Sequence, residues 1–107
     1  MEKHHLTPDN FDREGGVRHI LRYEHGFGHD DLERAKGVVL KGIEHVEYKT
    51  KTTSGMGAHH FDTAMKYFKE NPEGKAEWKK IPEHQRPHVE AALKQHFGIS
   101  EPEQAAA

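Results

Sequence analysis

Cysteine is absent from the 107 residues. That excludes disulfides, thiolate nucleophiles, cysteine-ligated zinc and iron–sulfur clusters. No apolar run approaches the roughly 20 residues that a membrane-spanning helix needs, and mean hydropathy is -1.02. Met1 to His5 lead into polar sequence rather than the apolar stretch of a secretory leader, so the expected location is the cytoplasm. Serine is scarce. Ser54 and Ser100 are the only two, neither sits in a nucleophile elbow, and a Ser-His-Asp arrangement cannot be assigned. An excess of one charge is also missing. Lysine and arginine total 16 and aspartate and glutamate 18. Residues 1–50 carry eight basic and ten acidic side chains, and residues 51–107 carry eight of each. Binding to duplex DNA, which calls for a strong positive field, is not expected.

What remains is a chain of one-domain size with several amphipathic segments. Thr7-Pro8 reads as a helix start. Val17, Ile20 and Leu21 share a helical face over residues 13–25, and Gly26 to Gly28 end it. Residues 30–49 give the strongest signal. Asp30 and Glu33 resemble a capping box, and Leu32, Ala35, Val39, Ile43 and Val46 recur at helical spacing. Gly37 and Gly42 interrupt this stretch, and residues 43–53 also fit an extended reading. Phe61, Ala64, Met65 and Phe68 mark a helix over 58–70, closed by Asn71-Pro72. A short turn follows over 73–81, with Trp78 and Ile81 inward. The last helix runs from about Arg86 to Phe97, burying Val89, Ala92, Leu93, His96 and Phe97, with Gly98 as its stop. The expected fold is all-α, a single domain built as a small bundle of about four helices with short links. Residues 1–12 and 99–107 are expected to fray.

Eleven histidines are the unusual feature of the composition. With ordinary pKa values near 6.5, the exposed ones would turn the chain cationic in mild acid. Histidine and carboxylate side chains can also bind zinc, nickel or iron without cysteine. The densest local group is His59, His60 and Asp62, and Glu44, His45 and Glu47 precede it on the strong helix. Their convergence would make a mixed histidine–carboxylate metal site, with hydrolytic chemistry as one outcome. Against it stand the absence of His-Glu-x-x-His and of the di-iron Glu-x-x-His pattern. The ordinary reading of these residues is a solvated surface, and the leading expectation is no cofactor.

Two further patterns carry chemistry. Lys49, Lys51, Thr53, Ser54, Gly55 and Gly57 make a hydroxyl- and glycine-rich loop before a helix start, which could hold a phosphate, a small anionic ligand or nucleic acid weakly. The order Gly-Lys-Ser/Thr of a P-loop is missing. Arg18, His19, Arg22, Tyr23 and His25 cluster near the first of these helices; Arg18, Arg22 and His25 share a face that could meet RNA or an acidic protein, while His19 shares one with Tyr23.

Tyr23, Phe27, Tyr48, Tyr67 and Trp78 lie at the margins of the expected stripes, and aromatic residues there favour interfaces. The reading that follows is a non-enzymatic helical interaction or accessory protein with a protein partner or a second copy of itself. The metal-binding and anion-binding readings stand as alternatives.

Overall fold

Thr7 opens the fold. Its Oγ1 accepts the Asn10 amide at 3.2 Å, and Pro8 takes the first helical position, where no amide hydrogen is needed. The computed structural model describes residues 6–51 and 55–99. Among them are six α-helices: α1 (Pro8–Asp12), α2 (Val17–Glu24), α3 (His29–Thr50), α4 (Phe61–Glu70), α5 (Pro72–Trp78) and α6 (Arg86–Phe97). Short 3-10 turns at Ala58–His60 and Glu83–Gln85 lead into α4 and α6. The all-α class expected from periodicity is the class observed.

The helical reading through about Tyr48 also holds, since α3 continues through Thr50; residues 52 and 53 of the extended alternative lie outside the described residues. Its start differs from the expected capping box. Gly28 is the N-cap and the helix begins at His29, which leaves Asp30 and Asp31 in the first turn. There they face the positive end of the helix dipole.

One apolar cluster joins all the helices. Leu32, Ala35, Val39, Ile43 and Val46 of α3 are buried, as their spacing predicts. So are Phe61, Ala64, Met65 and Phe68 of α4, and Val89, Ala92, Leu93 and Phe97 of α6. The two glycines of α3 have different explanations. Gly42 lies beneath Phe68, where a β-carbon would stand 2.6 Å from Cζ. Gly37 has no such neighbour within 4 Å.

The N-terminal stretch does more than fray. Leu6 and Phe11 are fully buried. Leu6 also exchanges two backbone hydrogen bonds with Met56, at 2.8 and 2.9 Å, in an antiparallel bridge. Met56 is itself fully buried, so the bridge fastens the start of the described chain to the approach to α4. At the other end Ile99 packs on the core and its amide bonds to Lys94 O. The remainder of the stretches expected to fray, residues 1–5 and 100–107, lies outside the described residues.

Four charges tie α1, α2 and α3 together. Asp12 accepts Arg18 Nε at 2.7 Å and also Lys36 Nζ, and Arg18 reaches Glu33 through Nη2. Burial alone would raise the Asp12 carboxyl. The hydrogen bonds and charges of Lys36 and Arg18 outweigh that and hold it below its ordinary 3.8. Arg18 also holds Glu33 below its ordinary 4.5. Depressed carboxylates contribute stability that is present above their unfolded values and is lost as pH falls through the folded ones. Arg18→Ala is therefore expected to cost about 1 kcal/mol at pH 6, the upper range for exposed pairs. The difference in melting temperature from the parent should shrink steadily below about pH 4. A constant difference from pH 6 to pH 3 would assign the loss to packing of the Arg18 stem.

Candidate functional site

The six residues expected to hold metal fall into separate environments. His59 and His60 occupy the 3-10 turn before α4, their rings 3.9 Å apart, and Asp62 is exposed in the first turn of α4. His45 lies instead against the far end of α4, its ring stacked on Tyr67 at 4.2 Å and 19°. His60 and Tyr67 are seven positions apart, roughly 10 Å along a helix at 1.5 Å per residue. Glu44 pairs loosely with Lys41 at 3.9 Å. Glu47 accepts the Gly55 amide at 3.0 Å. Among the described residues, no three histidine, aspartate or glutamate side chains form a group able to hold a metal ion.

The loop expected to bind anions is described at four of its six positions, and Thr53 and Ser54 lie outside the described residues. Lys49 is exposed in the last turn of α3, and Lys51 caps that helix with φ of 60°. Gly55 and Gly57 are buried. The Gly55 amide points to Glu47 and the Met56 amide to Leu6 O. Both are engaged by the protein's own acceptors.

The basic face of α2 is similarly divided. Arg18 is held by Asp12 and Glu33. Arg22 lies 5.5 Å from the ring centre of Tyr23, and His19 packs against the same ring at 4.6 Å. His25 points away to His88 of α6, with 3.0 Å between their Nδ1 atoms. Burial, with a further contribution from His88, holds His25 below its ordinary 6.5.

Of the five marginal aromatics, Phe27 and Tyr67 belong to the core. Phe27 turns back after Gly26, whose φ is 74°, and its amide bonds to Leu21 O at 3.0 Å. Trp78 is half-buried and stacks on Phe68 at 4.9 Å. Tyr48 and Tyr23 remain at the surface, 82% and 68% exposed. Single exposed rings are common on protein surfaces, so the groups around each ring decide what it can bind.

Tyr48 stands at the edge of an open groove between α3 and α5. Glu44 and His45 line it from α3, Tyr67 closes its floor, and Glu73 and Glu77 line it from α5. Asn71 fixes the geometry of the far wall. Its Oδ1 accepts the amides of Glu73 at 2.9 Å and Gly74 at 3.3 Å, capping α5 immediately beyond α4. Burial raises the Tyr67 hydroxyl above its ordinary 10.0, and Glu73, Glu77 and Glu44 raise it further. Burial, then Lys49, lowers His45 below 6.5, with Glu73 acting in the opposite sense. Both shifts favour the uncharged form of the stacked pair.

Lys41 is the one cation in that lining. Across the His45–Tyr67 ridge a second groove is lined by Lys49, Lys66 and Glu70. The face thus carries an acidic furrow beside a basic one. Reading along the sequence missed Glu73 and Glu77. Their spacing of four puts both on one helical face, but that spacing does not say which helix they meet. Compared with known protein families, curated proteins and solved structures, the chain matches none.

Proposed function

We propose that the protein is a small non-catalytic interaction protein that docks a basic segment of a partner protein in the α3–α5 groove. The observation that carries this reading is the 82% exposed ring of Tyr48 beside the carboxylates of Glu44, Glu73 and Glu77. An arginine or lysine laid over the Tyr48 ring gains a cation–π contact and a carboxylate at once. Tyrosine and arginine are the residues that most often dominate binding energy in interfaces. The rigid walls of α3 and α5 reduce the ordering cost of docking. The basic furrow across the ridge supplies register, repelling a segment placed the wrong way round.

The test is a set of short arginine- and lysine-containing peptides, with glutamate-substituted counterparts, titrated into isotopically labelled protein. Basic peptides are expected to shift the resonances of Tyr48, His45 and Glu73, with affinity falling steeply as salt rises. Tyr48→Ala and Glu73→Gln should each weaken binding about tenfold, which is roughly 1.4 kcal/mol. Equal binding of the acidic counterparts, or shifts confined to other faces, would overturn the reading.

A further inference from the structure

We infer that His25 and His88 form a two-histidine chelating site for a transition-metal dication of the kind imidazole favours: copper(II), nickel(II) or zinc(II). The residues are 63 positions apart in sequence, yet their Nδ1 atoms lie 3.0 Å apart. Imidazole nitrogens bound at about 2.0–2.1 Å with angles between square and tetrahedral stand roughly 2.9–3.4 Å from each other. The pair already has that separation. It also uses the same nitrogen from each ring: the hydrogen that one Nδ1 now donates to the other moves to the far nitrogen of its own ring, and one ion then reaches both Nδ1 atoms with small ring rotations.

The surrounding structure holds this spacing from both sides. His25 is the C-cap of α2 and His88 lies in the first turn of α6. Below them the two helices pack through the common core. A second tie joins them further along, where Gln95 Nε2 donates to Glu24 Oε2 at 2.9 Å. Phe27 packs edge-on against the His88 ring, with 6.4 Å between centroids. The carboxylate of Glu24, next in sequence to His25, adds negative charge favourable to a dication. His25 is half-buried and His88 exposed, so the ion has a path from solvent. The protein supplies two ligands, and water takes the remaining positions.

A metal held by both rings joins α2 to α6 only in the folded chain, so it stabilises that state. The experiment titrates zinc chloride or copper(II) chloride into tag-free, chelator-stripped protein and follows the melting temperature. At ten times the dissociation constant the rise should be roughly 5–10 °C for a domain of this size. His25→Gln and His88→Gln should each abolish it, while the His59→Gln/His60→Gln double variant keeps it. Side-chain nitrogen NMR of the parent protein gives a reading independent of any variant's stability. The signals of His25 and His88 should move together, and first, as zinc is added. A melting temperature unmoved by metal, a rise preserved in His25→Gln, or earlier movement of other histidines would each overturn the site.

Discussion

Phe11→Ala is expected to lower stability by about 3–5 kcal/mol, the range for deleting a buried phenylalanine. Against a total of roughly 5–15 kcal/mol for a small domain, that is a large fraction. The ring is fully buried although it sits on α1, a helix of five residues. One turn of helix has too few hydrogen bonds to persist by itself. Here the turn is held by the Thr7 cap at one end, by burial of Phe11 in the middle, and by the pairing of Asp12 with Arg18 at the other. Loss of the ring should release all three, together with the Leu6–Met56 bridge next to them. Urea and thermal melts of Phe11→Ala and of the exposed-site control Asp9→Ala give the comparison. A loss below about 1 kcal/mol for Phe11→Ala would mean that the site collapses around the cavity at little cost. It would also mean that the fold does not depend on its first turn.

The contrast between α1 and α3 shows what was legible in the chain. Leu32, Ala35, Val39, Ile43 and Val46 repeat often enough to reveal the buried face of α3 without any knowledge of what covers it. Leu6 and Phe11 are two isolated apolar residues in a polar stretch, and two points define no period. Their burial depends on Met56 and on α2, which come from elsewhere in the chain. The same limit governs the candidate sites. Local spacing places His59 near His60 and Glu44 near Glu47, and the structure keeps those neighbours close in sequence and space. It cannot place His25 against His88, or Glu73 across a groove from Tyr48, because those meetings are set by which helices pack together. Phe27 and Tyr67 illustrate the converse. Each stands just beyond a regular stripe, so each reads as marginal. The left-handed turn at Gly26 carries Phe27 inward, and the close approach of α5 covers Tyr67.

That close approach makes Gly74→Ala the second large effect. Gly74 is helical, so the substitution alone would be favourable for the helix by propensity. Space decides otherwise. A β-carbon there would stand 1.8 Å from Tyr67 O and 2.4 Å from Tyr67 C. Both are backbone atoms of α4, and no rotamer change can move them aside. Relief requires α5 to move off α4, which pulls against the Asn71 cap on the Glu73 and Gly74 amides. The expected cost is about 3 kcal/mol, the top of the usual range for overpacking, and a fall of roughly 10–20 °C in melting temperature. Two other glycines calibrate the series. Gly42→Ala meets the tip of the Phe68 ring at 2.6 Å, and a ring can tilt, so about 1–2 kcal/mol is expected. Gly37→Ala meets nothing within 4 Å and should gain about 0.5–1 kcal/mol through helix propensity. The order Gly37→Ala above parent, above Gly42→Ala, above Gly74→Ala is the result that thermal melts should return. If Gly74→Ala melted within a few degrees of the parent, α5 could sit further from α4 at little cost. The wall that carries Glu73 and Glu77 would then lack the rigidity that the proposed docking of a basic segment relies on.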